Sequence, residues 1–307
     1  MTVQAPEQPA QPGAVAAAAL PRRLPQTRLK TWLRRRDLDL WIPCVILAAL
    51  LVGCFIVPLT GVVPNPAAGD LTATLQPPFS PGHLLGTDPI GRDVLSRVLY
   101  GGRTSIEVGL AVNVIGIVVG GLIGMFAGFR RGFLDSLIMR VLDVMLAFPA
   151  LILTIVIATY LGPSELNVIW AISFFSIPAY ARLARAVTLK MREQVYIDAA
   201  RMSGRSDRAI LLRHIAPNVL PQLATYSLLQ VGIVVLVEAT LSFLGAGVGP
   251  SQASWGTMIA TGRDALRSAW YMSAIPGIAI LVTVLGINLV SDGLNDALNP
   301  NLNQRQP

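Results

Sequence analysis

The stretch Ser105–Phe129, SIEVGLAVNVIGIVVGGLIGMFAGF, holds a single ionisable residue, Glu107. At 1.5 Å per residue a helix of that length covers roughly 37 Å, more than the ~30 Å hydrocarbon core of a bilayer. Its apolar residues show no strand-like alternation, and lipid admits only helices and closed barrels. Five further runs share this character: Leu40–Val63, Leu137–Leu161, Leu166–Leu183, Val219–Leu244 and Met272–Leu294. The pattern predicts an all-α integral membrane protein with six transmembrane helices. Of the 307 residues, 53% are hydrophobic and 13% charged, against about 25% charged in a soluble domain. A single soluble domain, a disordered chain and a disulfide-rich scaffold are thereby excluded. The first run exceeds the 7–15 residues or so of a signal-peptide core, and Pro64-Asn65-Pro66 replaces a small-residue cleavage site, so it reads as a retained anchor. Cys44 and Cys54 lie in that run, about 15 Å apart along a helix, too far to bridge.

Six crossings return both termini to one side. That side carries the seven basic residues from Arg22 to Arg36, then Arg130, Arg131 and Arg140, eight from Arg182 to Arg213, and Arg305. The other side carries Arg92, Arg97, Arg103, Arg263 and Arg267, so the division is 19 to 5. The positive-inside rule puts both termini in the cytoplasm, and the net charge of +7 becomes an orientation signal rather than one for nucleic acid. Residues 1–26 lack apolar periodicity and read as a disordered tail. In the outer stretch Pro64–Thr104, Val94, Leu95, Val98 and Leu99 recur at helical spacing, which predicts a short surface helix.

The inner stretch Ala184–Asn218 contains Tyr196-Ile197-Asp198-Ala199-Ala200-Arg201-Met202-Ser203-Gly204-Arg205-Ser206-Asp207. Gly204 is placed to stop a helix in the left-handed conformation, and Ser206 to cap a second one with Asp207 on its positive end. The second helix, Arg208 to His214, is expected to stop near Pro217. Ala199, Ala200 and Ala209 permit close approach of a partner, while Arg201, Arg205, Arg208 and Arg213 supply charged hydrogen bonds around it. On charge alone, the stretch also reads as a solvated loop.

The succession Asp198-Ala199-Ala200, Gly204 and Ile215-Ala216-Pro217 resembles the EAA loop of ABC-importer membrane subunits, with Asp where that family more often has Glu. His83–Arg97 (HLLGTDPIGRDVLSR), Met139–Pro149 (MRVLDVMLAFP), Glu238–Gly245 (EATLSFLG), Ser254-Trp255-Gly256 and Asp292–Pro300 (DGLNDALNP) are similar to motifs of its oligopeptide/dipeptide branch. Within that branch the chain is closer to the second, C-type permease of the pair. The resemblance implies a subunit forming half of a translocation pathway for di- or oligopeptides in the bacterial cytoplasmic (inner) membrane. Implied partners are a second homologous permease, two ATP-binding subunits or domains, and an external substrate-binding protein or lipoprotein. ATP and magnesium would sit on the ATPases, with no cofactor bound directly by this chain. Asp198, Ala199, Ala200, Arg201, Gly204, Arg205, Asp207, Arg208 and Pro217 would be the coupling residues. Asp88, Arg92, Asp93, Trp255 and Arg263 are candidates for the external gate or for contact with the binding protein. The implied organisation is a basic tail over 1–36, the first span and external loop over 37–104, a permease core of five spans over 105–300, and a tail over 301–307. Other readings are the same machine importing nickel complexes or another small solute, and an ATP-independent carrier or channel.

The chain has no Gly-x-x-x-x-Gly-Lys-Ser/Thr loop, and neither lysine, Lys30 nor Lys190, follows a glycine, so it is not expected to be an enzyme that holds ATP by that device. His83 and His214 fall on opposite predicted sides and cannot form a metal pair. Ionisable residues within spans are costly, which makes Glu107, Asp143, Glu238 and Asp292 functional candidates. Asp143 follows Arg140 by three residues, which favours a local ion pair. Gly116, Gly120, Gly124 and Gly128 recur every four residues and offer a smooth face for another helix. Pro149, Pro178 and Pro276 are either tolerated kinks or loosened points used in gating.

Overall fold

The computed structural model describes the backbone of residues 26–249 and 251–298, and the side chains of residues 41–249 and 251–293. The chain divides into two units, residues 1–39 and 40–307. The tail expected over residues 1–26 lies, but for Gln26, outside the described residues, as does the tail over 301–307. The described helices are α1 (Gln26–Phe55), α2 (Val94–Arg130), α3 (Phe133–Leu146), α4 (Ala150–Leu161), α5 (Glu165–Arg192), α6 (Val195–Met202), α7 (Asp207–Phe243), α8 (Trp255–Arg263) and α9 (Tyr271–Leu298). Five stretches are long and apolar enough to cross a membrane: Trp41–Thr60, α2, α5, α7 and Tyr271–Gly293. The pair α3–α4 makes a sixth if its two bent halves count as one span.

The predicted glycine face decides that question. A Cβ added at Gly116 would meet the Tyr180 ring, at Gly120 the Ile177 carbonyl, at Gly124 the Ala181 carbonyl and at Gly128 the Arg185 carbonyl. From Gly120 to Gly128 the contacts on α5 ascend in step, from Ile177 to Ala181 to Arg185, so α2 and α5 run parallel with their backbones close. Lipid tails give no hydrophobic drive for helix pairing, and such close packing of small residues takes its place. Two parallel neighbours require the chain to return across the whole thickness between them, which makes α3–α4 the third crossing. It is not the straight span expected over Leu137–Leu161, because the two halves meet at 84°. Pro149, with φ −60° and ψ 113°, is extended and lacks the N–H needed to continue α3.

Two further expectations are corrected. The short surface helix around Val94–Leu99 is the first part of α2, which begins at the Asp93 cap and continues through a π-helical turn at Gly116–Gly120 to Arg130. Gly101 and Gly102 do not break it. They are where α8 crosses, and a Cβ at Gly102 would lie 2.5 Å from the Trp255 ring. The stop near Pro217 is also absent, since α7 continues through Pro217 and Pro221. A π-helical turn at Leu211–Ile215 shifts the hydrogen-bond register just ahead of Pro217, where a donor is missing anyway.

One buried cluster joins α1, α2, α7, α8 and α9 around Cys54, Val235, Trp255 and Met272. A second, around Tyr180, Ile197, Ile210, Ile215 and Leu223, joins α2 and α5 to α6 and the start of α7. Cys44 is exposed and Cys54 buried, both as free thiols.

Candidate functional site

At the end of the bundle where α5 stops and α7 begins, the chain folds as its sequence predicts. The Gly204 amide donates to the Arg201 carbonyl at 2.9 Å and the Arg205 amide to the Ala200 carbonyl at 3.2 Å. With Gly204 at φ +75°, this is the paired closure of a Schellman stop. The Ser206 hydroxyl accepts from the Ala209 amide, and Asp207 lies in the first turn of α7. Ile197, Ala200, Ile210 and Ile215 point into the bundle. The other face of α6 and its turn exposes Asp198, Ala199, Gly204, Arg205, Asp207 and Arg208, with Asp198 paired to half-exposed Arg201 at 3.2 Å. Pro217 is also exposed. Of the small residues expected at this surface, Ala200 is buried instead. Sequence reading passed over the apolar part of the exposed face: Val195 is 84% exposed, Met202 90% and Leu212 64%. Their departure from the inward periodicity of Ile197, Ala200 and Ile210 is the signal that marks them.

At the opposite end, the segment between α1 and α2 is organised by two carboxylates. Asp88 accepts from the Ile90 and Arg92 amides at 3.0 and 2.9 Å and from Arg92 Nε at 2.6 Å. Asp93 caps α2 through the Ser96 amide at 2.8 Å, and its other oxygen lies 3.0 Å from His83 Nδ1. Gly91, at φ +76°, packs so tightly that a Cβ would lie 1.8 Å from the Asp70 carbonyl oxygen. Hydrogen bonds from the Thr72 hydroxyl and amide hold the Asp70 carboxyl below the usual range. The Tyr271 hydroxyl, at the start of α9, lies 2.7 Å from the Gln76 carbonyl and 3.0 Å from that of Thr87. Trp255 is fully buried and donates from Nε1 to the Val98 carbonyl at 3.0 Å. Of the five candidates for the external gate or binding-protein contact, Asp88, Arg92, Asp93 and Trp255 are turned inward and hold this end together. Arg263 alone is exposed, beside Asp264 at 3.3 Å and over the Phe243 ring.

The four intramembrane candidates separate. Glu238 is fully buried between α2 and α7, accepting from the Ser105 and Ser242 hydroxyls at 2.7 Å each. The Ser105 oxygen also accepts weakly, at 3.4 Å, from the Trp255 amide, so Glu238 anchors the start of α8. Glu107 pairs with Arg103 at 2.8 Å on the wall of a cavity of about 390 Å³ that also includes Tyr100 and Gln252. Asp143 pairs with Arg182 of α5 at 2.6 Å rather than with Arg140. A base preceding an acid is the weaker order on one helix, and the cross-helix partner wins. Asp292 is exposed. A bidentate pair between Arg185 and Asp135, at 2.6 and 2.7 Å, ties α5 to α3 and was not anticipated. Among the described residues no group of His, Cys, Asp and Glu could hold a metal ion.

The architecture and both ends agree with a known family. The model for the binding-protein-dependent transport system inner membrane component matches residues 120–304. The chain belongs to this family. Curated relatives place the permease in its peptide and dipeptide branch. A Brucella suis biovar 1 permease protein is 44% identical over 271 residues, covering 88% of this chain and 90% of its own. The di/tripeptide transport system permease protein DppC of Pseudomonas aeruginosa is 42% identical over 219 residues, 71% of this chain and 72% of its own. The glutathione transport system permease protein GsiD of Pectobacterium atrosepticum is 40% identical over 223 residues, 73% and 74% of the two chains. Among solved structures, the inward-facing MetNI methionine ABC transporter matches with a TM-score of 0.55 at 16% identity, over 66% of this chain and 95% of the other. That likeness shows the fold. Membership sets aside the reading as an ATP-independent carrier or channel: this is a permease subunit of an ABC importer.

Proposed function

We propose that this permease forms half of a translocation pathway for di- or oligopeptides in the bacterial inner membrane and takes its drive from ATPases docked on α6. The α6 end, rich in arginine, faces the cytoplasm, and the Asp88 end faces outward. A second, homologous permease completes the pathway, and an external binding protein delivers cargo to the outer end, meeting Arg263. ATP and magnesium stay on the two ATP-binding subunits or domains.

The exposed face of α6 carries this reading. Val195 and Met202 of α6 and Leu212 of α7 are exposed in the same stretch as exposed Asp198, Arg205, Asp207 and Arg208, the mixed apolar and charged composition of a protein-binding surface. Its other face is buried in the bundle and its turn leads into α7, so a push on α6 enters the membrane directly. Closure of an ATPase dimer against α6 would then rock the permease from inward-open to outward-open. The relatives named for di/tripeptide and glutathione transport support a peptide cargo.

The test is co-purification and transport. Tagged permease is expected to bring down ATP-binding subunits, and Gly204→Asp, which strains the left-handed stop, to abolish peptide uptake in membrane vesicles. Recovery of the permease without ATPases, together with unchanged uptake by Gly204→Asp, would refute the coupling. A companion binding protein that ignores peptides and retains a nickel complex would refute the cargo alone.

A further inference from the structure

Between α4, α5 and α7 lies a cavity of about 140 Å³ whose wall is apolar except for Thr154, Ser176 and Gln230. Ser176 and Gln230 each fall in the middle third of their helices, far from either aqueous end. Thr154 satisfies its hydroxyl on the Ala150 carbonyl at 2.7 Å. The Ser176 hydroxyl and the Gln230 carbonyl oxygen have no partner among the described residues. Facing lipid tails, both groups would go unsatisfied, a condition membrane proteins avoid. Facing a wetted path, they would not.

Gln230 is also held from behind. Its Nε2 donates to the Tyr226 hydroxyl at 2.5 Å. The Tyr226 ring stands edge-on to Tyr180, with centroids 5.1 Å apart. Tyr180, fully buried against Gly116, donates its hydroxyl to Asn113 Oδ1, and Asn113 Nδ2 donates to the Gly109 carbonyl at 2.7 Å. Two hydrogen-bonded pairs, Asn113–Tyr180 and Tyr226–Gln230, thus meet through an aromatic contact that links α2 and α5 to α7 behind the amide, the kind of supporting shell a precise binding group needs. With one N–H engaged, Gln230 offers one donor and one acceptor to the cavity, and no charged residue lines it. The space equals roughly five water molecules, enough for a peptide unit with a small side chain.

We propose that this cavity is a cargo subsite, in which the Gln230 amide and the Ser176 hydroxyl hydrogen-bond an uncharged backbone peptide unit in transit. The inference rests on the peptide-importer reading and adds a place within this subunit for the cargo. Neutral groups that bind backbone accept many sequences and release them readily, as a conduit requires.

The experiment uses the assembled transporter in proteoliposomes with its ATPases, sister permease and binding protein, and follows uptake of a labelled dipeptide together with ATP hydrolysis. Gln230→Leu is expected to slow uptake about five- to tenfold and Ser176→Ala a few fold, the size of a lost neutral hydrogen bond. Hydrolysis should persist, whereas a merely structural role would lower both together. If the wild type takes up no peptide, the importer reading and the subsite fall together. If the wild type transports and both variants match it, the subsite alone falls. Should Gln230→Leu fail to assemble, Ser176→Cys decides. It is expected to react with a water-borne methanethiosulfonate and to be protected during cargo turnover, and a thiol that stays unmodified would overturn the proposal.

Discussion

At Gly124 a single methyl group would lie 2.1 Å from the Ala181 carbonyl oxygen, a backbone atom that cannot swing aside. At Gly277 a Cβ would meet nothing within 4 Å. Gly124→Ala is therefore expected to destabilise the permease by about 1–3 kcal/mol, while Gly277→Ala is neutral or mildly stabilising because alanine suits a helix better. Thermal unfolding of the detergent-purified complex distinguishes them, and equal melting temperatures would contradict the packing described. The glycine stripe was legible because its period of four matches the helix and needs no knowledge of the partner. The roles of Asp88, Asp93 and Trp255 were not. Their motifs marked them as special, but only the folded segment shows that Asp88 binds the backbone of its own turn, and that Trp255 fills space that Gly102 leaves open.

The Schellman stop at Gly204 depends on consecutive residues, so α6 and the start of α7 could be read from the sequence. The bend between α3 and α4 could not. Pro149 shows that the helix is interrupted, yet no residue beside it encodes the 84° at which the two halves meet. The passage of α7 through Pro217 was likewise hidden, since a π-helical turn leaves no local mark among Leu211–Ile215. At this scale the exposed side of α6 makes its own prediction. Met202 is 90% exposed, so Met202→Glu should leave the folding of the permease unchanged while reducing the ATPase recovered with it about tenfold, the loss of one well-placed apolar contact. Quantitative affinity purification at fixed permease level measures this, and undiminished recovery would remove α6 from the interface.

The parallel run of α2 and α5 fixes the number of crossings for the described bundle at six, so the first span begins and the last span ends on the side of the bundle that carries α6. Cysteines introduced at Ser80 and at Ser206 should accordingly label from opposite sides of the membrane with an impermeant maleimide, Ser206→Cys only after the inner face is exposed. Labelling of both from one side would break the topology. What the sequence carried at this scale was direction, through the uneven spread of arginine. The folded chain adds how the two ends communicate. From Asp207 to Phe243 α7 runs as one stretch of roughly 55 Å, one end continuous with the Gly204 turn and the other held through Glu238 to Ser105 of α2, which also accepts from the start of α8. On the proposed docking of ATPases at α6, a tilt imposed at that turn would be carried along α7 to the mouth at the other end. Coupled in this way, the two mouths would not open independently, and resistance to leaking would follow from the geometry of one helix.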